Sequence, residues 1–343
     1  MKRKGFKNML PKISIMIVTL NNERTIEECI KRIKTQDYPK NLIEYLNIDG
    51  GSTDSTKEIL MRYGFKIVNS FIKKNAEAQR AIGIKEAKNE LIVSLDADNY
   101  LPDDTWLKQM IQPFLDDSRV IHSSTMHYTY RAKDTLYNRY CALFGVVDPI
   151  VYYLSKQDRL PQNSKRWIGG NIVKETGDYY IVEFTKESLP TVGCNGVVYK
   201  KNILLNYAKS STSDFLHIDV FADLINKGFN RYAIVKNDVI HDKAVNLTSL
   251  MKKRIAFLSD YYLKTDKRGP KRRYLIYNPK KITDNIKLLL FIIYTITFIK
   301  PIIDSIRGYI VIRDSAWFLH PVICWVYLYA YSFATLKRVL TKQ

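Results

Sequence analysis

Apolar residues in the first hundred positions are concentrated in short runs separated by stretches in which they recur at helical spacing. Such short runs are typical of buried strands. They cover residues 13–20, 43–48, 66–70 and 91–95. The stretches between them predict helices that begin at Glu23 and span residues 55–63 and 76–87. Strands that alternate with helices in this way predict an α/β fold with a parallel sheet covered on both faces.

Polar residues follow three of these four strands, at residues 19–23, 49–54 and 96–98. Sheets of this type bind ligands at the carboxyl ends of their strands, so one crevice could collect all three segments. Asp96 and Asp98 end the strand at residues 91–95, and their carboxylate oxygens suit a hard divalent cation, Mg²⁺ or Mn²⁺, which could bridge the phosphates of a nucleotide. Taken alone, the pair fits ordinary turn or helix-cap residues better than a metal site.

A second apolar pattern occupies residues 134–154, which are apolar nearly all round and are interrupted by Asp148 and Pro149. A helix of this kind is either buried or lies in a lipid interface. Two longer apolar stretches follow, at residues 288–306 and 316–336. The second is long enough to span a bilayer. The first is interrupted by Lys300, Pro301 and Asp304, which favours a re-entrant or interfacial segment.

The net charge is +20 over 343 residues, and it is concentrated in the C-terminal part, where residues 250–343 hold 18 Lys and Arg against 5 Asp and Glu. Such a region predicts a polyanionic partner, either nucleic acid or an anionic membrane surface. The neighbouring apolar stretches favour the membrane, so we expect no nucleic-acid partner. As a hairpin, the two stretches would leave both ends in the cytoplasm; a soluble helical subdomain or a dimer interface is the alternative.

Four widely spaced cysteines, Cys29, Cys141, Cys194 and Cys324, have no metal-ligand spacing. They predict buried thiols in a reducing compartment. The basic residues at the start of the chain precede an apolar run of only eight residues, 13–20. We interpret this run as a first strand and not as a signal peptide.

Four blocks of residues, 18–23, 49–56, 80–84 and 96–98, occur in the order and at the spacing of the family 2 glycosyltransferases, which this chain resembles. The resemblance implies the GT-A fold, a Rossmann-like nucleotide-diphospho-sugar transferase domain, and sugar transfer with inversion. We expect this domain at residues 1–248. A basic juxtamembrane region with apolar helices at about 286–306 and 316–336 would then occupy residues 249–343.

The resemblance also implies roles for single residues. The residues placed along the nucleotide sugar are Thr19, Asn21, Glu23, Asp49, Arg80, Asp96 and Asp98. Thr19, Asn21 and Glu23 would lie along the nucleoside. Asp49 would contact the base or ribose, and Arg80 the diphosphate. Asp98 would bind the metal, with Asp96 close to the ribose and the metal. Val18 and Leu20 replace the proline and tyrosine of many members, which removes an aromatic contact to the base.

The segment at residues 215–224 looks like the Glu-Asp helix start of the family, with Ile218 in place of the glutamate. Asp219 would be the general base, kept ionised at the helix N-terminus. His241 resembles a histidine that many GT-A enzymes place on the metal or diphosphate, whereas His217 is expected to be a loop residue. Residues 156–186 would shape the acceptor pocket, and the glycine-containing segment at 191–200 would line the acceptor side.

These patterns predict a metal-dependent glycosyltransferase at the cytoplasmic face of the cell membrane. It would transfer sugar from a nucleotide diphosphate, UDP by the habits of the family or GDP, to a lipid-linked saccharide in surface polysaccharide synthesis. The processive Gln-X-X-Arg-Trp pattern is absent downstream of Asp219, so one or few sugars would be added per encounter. A polyprenyl-phosphate sugar synthase is the alternative enzyme, and a non-catalytic membrane or nucleic-acid binding scaffold is the alternative of another class.

Overall fold

The computed structural model describes residues 10–72, 75–192, 194–208, 216–243, 247–258, 274 and 276–341. The chain divides into two compact units. Unit 1 consists of Met1–Thr125, Gly170–Lys186 and Gly193–Val239, and unit 2 consists of Met126–Gly169, Glu187–Val192 and Ile240–Gln343. The domain boundary predicted after residue 248 stays a prediction, because each compact unit is made of several separate stretches of the chain.

The first hundred residues form the predicted alternation of strands and helices. The elements are β1 (Ile13–Thr19), α1 (Glu23–Lys34), β2 (Ile43–Asp49), α2 (Thr56–Arg62), β3 (Lys66–Asn69), α3 (Ala76–Glu86), β4 (Leu91–Asp96) and β5 (Asn99–Tyr100). β1 pairs in parallel with both β2 and β4, and β2 pairs in parallel with β3. The hydrophobic runs therefore predicted this part of the sheet correctly.

The remaining elements are α4 (Trp106–Asp116), β6 (Val120–Tyr128), α5 (Leu136–Phe144), α6 (Pro149–Tyr153), β7 (Asn171–Glu175), β8 (Tyr179–Glu183), β9 (Val197–Lys200), α7 (Lys201–Tyr207), α8 (His217–Asn226), β10 (Arg231–His241), α9 (Leu247–Leu258), α10 (Ile282–Thr297), α11 (Ile299–Val311) and α12 (His320–Thr341). Two short 3₁₀ turns, Lys40–Leu42 and Ser315–Leu319, precede β2 and α12.

Unit 1 is built on one mixed sheet with the strand order β3-β2-β1-β4-β9-β6-β10-β8-β7, and β5 pairs with β10. The parallel pairing predicted for the first four strands is confirmed, and beyond them the sheet is mixed: β9 lies antiparallel to β4 and to β6, and β8 lies antiparallel to β7 and to β10. The sequence-based reading missed the β7–β8 hairpin, which lies inside the polar stretch at residues 156–186. An antiparallel pair needs only a short turn and no crossover helix.

Close packing of α3 on the sheet depends on Gly83. A Cβ atom at this position would lie 2.1 Å from Met16 Sδ of β1 and 2.9 Å from a side-chain carbon of Ile48 in β2. All seven residues of β1 are buried, so the helix lies against a fully covered strand. This contact holds the C-terminal part of α3 against β1 and β2. The Gln79 side chain donates to the backbone oxygens of Thr19 and Ile48 and so holds the N-terminal part of α3 beside the carboxyl ends of these strands.

In unit 2, the apolar segment at residues 134–154 forms two short helices, α5 and α6. Gly145, with φ 66°, ends α5, and the Asp148 side chain accepts a hydrogen bond from the N–H of Ile150 at the start of α6. The Phe144 ring contacts Trp317 edge to face, with ring centroids 4.8 Å apart, in a buried cluster that also includes Ile323. Of the two alternatives for this segment, the structure shows the buried one.

The C-terminal apolar stretches form α10, α11 and α12 of unit 2. α10 and α11 together would be long and apolar enough to cross a bilayer, but they are bent by 81° at Phe298, whose φ is 61°. The segment Ser315–Lys337 is by itself long and apolar enough to span a membrane. Of its apolar 18-residue stretch, 39% is buried within the protein. Residues 259–273 of the basic C-terminal region lie outside the described residues. All four cysteines are free and buried.

Candidate active site

A cavity of about 280 Å³ lies in unit 1 at the carboxyl ends of β1 and β4, beside the start of α3. This is the edge of the sheet at which the sequence predicts a crevice. Its lining residues come from these three elements and the loops that follow the two strands: Val18, Thr19, Leu20, Asn22, Ala76, Gln79, Arg80, Asp96, Ala97 and Asp98. The cavity thus brings together four predicted site residues, Thr19, Arg80, Asp96 and Asp98.

Arg80 and Asp96 form an ion pair in this cavity, in which Arg80 is buried and Asp96 is partly exposed. The distance from Arg80 Nη2 to Asp96 Oδ1 is 2.5 Å, and Nη1 lies 3.2 Å from the carboxylate of Glu77. Arg80 is only 5% exposed. Burial by itself would lower the pKa of Arg80, but the carboxylate of Asp96 and the other anionic neighbours raise it well above its ordinary value. The guanidinium is therefore a fixed positive charge beside the cavity.

Asp98 lines the same cavity in the turn between β4 and β5. Asn99 shapes this turn, because its side-chain oxygen accepts from the Asp96 N–H at 2.9 Å and its amide donates to Asp98 Oδ1 at 3.3 Å. The buried thiol of Cys29 lies 3.9 Å from the backbone oxygen of Asp96. Burial, followed by the negative charges of Asp98 and Asp96, raises the pKa of Cys29. The thiol therefore stays neutral and adds no charge beneath the two carboxylates.

Asp49 organises the turn after β2 and is 1% exposed. Its Oδ2 accepts hydrogen bonds from the N–H groups of Gly51 and Ser52, both at 2.9 Å, and its Oδ1 accepts from the Thr19 hydroxyl at 3.2 Å. Gly51 has a φ of 100°, a conformation that suits glycine. Asp49 does not line the cavity among the described residues, so the structure shows a turn-forming role, and a contact with the base stays a prediction.

Asn21 and Glu23 connect the loop after β1 to the loop after β2. The Asn21 side-chain oxygen accepts from the N–H of Thr53 at 2.9 Å, and a Glu23 carboxylate oxygen accepts from the N–H of Ser55 at 3.1 Å. In return, Asp54 accepts from the N–H of Glu23 at 3.1 Å. Asn21 has a φ of 53°, and Asn22, not Asn21, lines the cavity. The predicted nucleoside contacts of Asn21 and Glu23 therefore stay predictions.

Asp219 lies in the first turn of α8 and is 1% exposed. It is not among the described residues that line the cavity. His241 is the last residue of β10 and belongs to unit 2, where its ring lies 5.4 Å from that of Tyr128. The assignments of Asp219 as base and of His241 as metal ligand are therefore still predictions.

His217 begins α8, so the expectation of a loop residue is wrong. Its Nδ1 lies 3.3 Å from a carboxylate oxygen of Glu77, and the ligand atoms of Glu77, Cys194 and His217 all lie within 4.8 Å of one another. Carboxylate, thiolate and imidazole together are a possible ligand set for a divalent metal. No sequence pattern marks this cluster, because its three members come from distant segments with no shared motif.

The charges in this cluster act on one another. Burial by itself would lower the pKa of His217, but Cys194 and Glu77 raise it well above its ordinary value. Burial would likewise raise the pKa of Glu77, yet His217 and Arg80 lower it. His217 and Glu77 therefore form an ion pair that is connected through Arg80 to Asp96 and the cavity.

Residues 14–173 match the family described as Glycosyl transferase family 2. This part of the chain belongs to that family. Two similar proteins are Glycosyltransferase AglE of Haloferax volcanii, 28% identical over 136 residues, and a Methanococcus voltae protein, 33% identical over 108 residues. The second is named dolichyl N-acetyl-alpha-D-glucosaminyl phosphate 3-beta-D-2,3-diacetamido-2,3-dideoxy-beta-D-glucuronosyltransferase. The matches cover 38% and 30% of this chain, and 44% and 33% of the relatives, less than half of their length.

A solved structure that resembles this chain over most of its length is the mannosyltransferase PcManGT of Pyrobaculum calidifontis in complex with GDP-Man and Mn²⁺. The TM-score is 0.55 at 16% sequence identity, and the match covers 98% of this chain and 89% of the other. At this identity the likeness shows the fold alone. It confirms the predicted α/β fold of the GT-A type, with helices at the C-terminus.

Proposed function

We propose that this protein is a glycosyltransferase that moves a sugar from a nucleotide diphosphate to a lipid-linked acceptor at a membrane, with inversion at the anomeric carbon. The observation that carries the proposal is the cavity at the ends of β1 and β4, which combines two carboxylates with a fixed guanidinium. Carboxylates hold a divalent cation and Arg pairs with phosphate. A nucleotide diphosphate needs both of these groups.

The oxygens of Asp96 and Asp98 fit Mg²⁺ or Mn²⁺, because hard divalent cations prefer oxygen ligands. His241 is the further ligand that we propose. A bound cation would offset negative charge on the diphosphate as it leaves. Arg80 adds a second positive charge that the protein itself fixes in place, and a charge that is already oriented needs no reorganisation during the reaction.

The proposed transfer needs a base for the acceptor hydroxyl. Asp219 would take the hydroxyl proton as the acceptor oxygen forms its bond to C1 of the sugar. The bond between C1 and the phosphate oxygen breaks at the same time, and its electron pair leaves with the nucleotide diphosphate. The position of Asp219 in the first turn of α8 supports this role, because the helix dipole favours a negative charge there.

The donor and the acceptor are proposed by analogy. PcManGT was solved with GDP-Man and Mn²⁺, and the name of the Methanococcus voltae relative contains a dolichyl phosphate-linked sugar. We infer a UDP-sugar or GDP-sugar donor and a polyprenyl-linked acceptor in the synthesis of a surface glycan. Among the described residues, 21 of the 28 exposed large apolar side chains lie between Ile282 and Leu340. This concentration supports membrane attachment, which we place at the cytoplasmic face of the cell membrane.

Isothermal titration of the full chain in detergent with UDP and with GDP, each with and without Mn²⁺, tests the nucleotide site. We expect metal-dependent binding of one nucleotide, and its loss in Asp98→Ala. The matched control is Asp37→Ala, which removes a carboxylate that is 65% exposed in an ion pair with Lys108, outside the cavity. The absence of binding under every condition would favour the non-catalytic scaffold.

The burial of Asp219 favours a second candidate, a polyprenyl-phosphate sugar synthase. A phosphate acceptor is already ionised and needs no base, which suits a carboxylate that is 1% exposed and outside the described cavity lining. The isosteric Asp219→Asn variant separates the two enzymes. A loss of activity of roughly a hundredfold or more is expected for a general base. If activity with a polyprenyl phosphate acceptor is retained, the synthase is the correct assignment.

A further inference from the structure

Helix α11 of unit 2 turns its polar face toward the protein and its apolar face outward, the opposite of a surface helix in a water-soluble protein. Its polar side chains Lys300, Asp304 and Arg307 follow one another at positions i, i+4 and i+7, and all three line a cavity within the same unit. The isoleucines on the other side are between 39% and 65% exposed, and they are Ile299, Ile302, Ile303, Ile306 and Ile310. We call this set the isoleucine stripe. A stripe of this size points to a lipid surface and not to water.

The cavity behind this helix has a volume of about 450 Å³. Tyr152 and Tyr153 of α6 form part of its wall, and the segment after α6 contributes Gln157, Ser164 and Arg166. The wall therefore combines aromatic faces, short polar side chains and positive charge. This is the composition of a site for a small polar group that carries negative charge.

The charges in this cavity are not balanced. Lys300 and Asp304 pair with each other. Arg166 and Arg307 are both exposed, and neither has a hydrogen bond or ion pair within the described part of the chain. Two guanidinium groups without counter-charges in one cavity favour a phosphate, because each guanidinium can donate two parallel hydrogen bonds to phosphate oxygens.

Gln157 supplies a second indication of a ligand. Its buried side-chain oxygen has no hydrogen-bond donor among the described residues, and the residue lines the cavity. A buried acceptor without a donor costs about 1–3 kcal/mol. A protonated phosphate oxygen, P–OH, that donates to this oxygen would remove that cost.

We propose that this cavity binds the phosphate group of a lipid, with Arg166 and Arg307 as its ligands. The isoleucine stripe would lie in the bilayer and place the cavity at the depth of the phosphate groups. The inference rests on the proposed function, since it assigns the binding site for the phosphate of the lipid-linked acceptor. A soluble phosphate would satisfy the two arginines, but it would leave the isoleucine stripe without a partner.

Vesicle flotation of the full chain tests the proposal. The vesicles contain phosphatidylcholine with either polyprenyl monophosphate or phosphatidylglycerol, adjusted to equal negative charge. We expect tighter binding to polyprenyl monophosphate, and Arg166→Gln and Arg307→Gln should each weaken that binding roughly tenfold. The matched control is Arg313→Gln, which removes the same charge from an exposed arginine close to α11 that packs on Tyr309 and does not line the cavity.

Two results would overturn the proposal. Equal binding to both kinds of vesicle, or an equal loss in Arg313→Gln, would show a general attraction of basic residues to an anionic surface. Titration with inorganic diphosphate distinguishes a soluble phosphate from the phosphate of a lipid. If diphosphate binding depends on Arg307 while vesicle binding does not, the ligand is a soluble phosphate.

The assay contains no nucleotide and no added metal, so it is independent of the transfer reaction. Asp98→Ala should bind the polyprenyl phosphate vesicles as the parent protein does. Failure of nucleotide binding together with an intact vesicle preference would count against the proposed function and not against this cavity. Both arginines are exposed, so the variants should keep the parent melting temperature, which serves as the folding control.

Discussion

Arg80 donates a hydrogen bond of 2.5 Å to Asp96, and the guanidinium, at 6% side-chain exposure, is the more deeply buried partner. The same arginine also contacts Glu77. The sequence predicts Asp96 and Asp98 as two metal ligands. In the structure, the guanidinium of Arg80 joins one of them, Asp96, to helix α3. The stability of the fold and the charge of the cavity therefore depend on the same side chain.

Arg80→Ala should destabilise the protein by up to about 3 kcal/mol, because it leaves the partly buried carboxylates of Asp96 and Glu77 without their partner. The exposed pair Lys66–Glu86, with side chains 49% and 43% exposed, is the matched control. Lys66→Ala should cost about 1 kcal/mol or less. Urea unfolding measures both variants. An equal effect of the two substitutions would mean that the Arg80 ion pair is no stronger than a solvated one.

Asp49→Ala should cost about 2–3 kcal/mol in the absence of any nucleotide, because two backbone N–H groups and the Thr19 hydroxyl lose their acceptor. Asp49→Asn keeps one acceptor oxygen and should cost less. Urea unfolding gives the stability, and nucleotide titration of the Asn variant gives binding. Normal stability with lost binding would show a direct contact between Asp49 and the nucleotide. Unchanged stability of the Ala variant would contradict the turn-forming role.

The ion pair between His217 and Glu77 should make stability depend on pH. The pKa of His217 is raised above its ordinary value of 6.5, so its contribution is complete below about pH 6.5 and is lost as the pH rises through the raised pKa. The pKa of Glu77 is lowered from 4.5, so its contribution is present above about pH 4.5 and is lost as the pH falls through the lowered pKa.

His217→Gln should therefore reduce the melting temperature most at pH 5 to 6 and progressively less at alkaline pH. Thermal unfolding of the parent protein and the variant across this range measures the difference. A difference that stays constant with pH would show that His217 contributes by packing alone.

Gly83→Ala should destabilise the fold by about 1–3 kcal/mol, because the new methyl group would overlap with Met16 in β1. Gly177→Ala is the control, since a Cβ atom there meets nothing within 4 Å. It should change stability by about 0.5 kcal/mol or less. The Met16→Ala change in the Gly83→Ala background should restore part of the loss, and urea unfolding of the three variants measures it.

The order of elements up to β4 follows from the sequence because each strand there is a short apolar run that alternates with a helical pattern. The β7–β8 hairpin could not be predicted in this way. β7 is mostly exposed, with the sequence NIVKE, and so has no buried face to produce a period of two. Its place at the edge of the sheet depends on pairing with β8, which local patterns do not encode.

The candidate site likewise has a part that the sequence predicts and a part that it does not. Residues at the ends of β1 and β4 were predictable because parallel strands bring their carboxyl ends to one edge. The alternation of strands and helices along the sequence does not predict that Arg80 forms ion pairs with both Asp96 and Glu77. Nor does it predict that His217 contacts Glu77, from which it is separated by 140 residues of sequence. Such contacts depend on how α3 and α8 pack in three dimensions.

The reciprocal hydrogen bonds between the loops after β1 and β2 join Asn21 to Thr53, Glu23 to Ser55 and Asp54 to Glu23. A deletion or insertion in either loop would therefore break contacts in both, so their lengths are expected to vary together among natural sequences. For the same reason, a ligand that arrives at this edge meets a surface whose shape is already set, and little conformational freedom is left to be lost on binding.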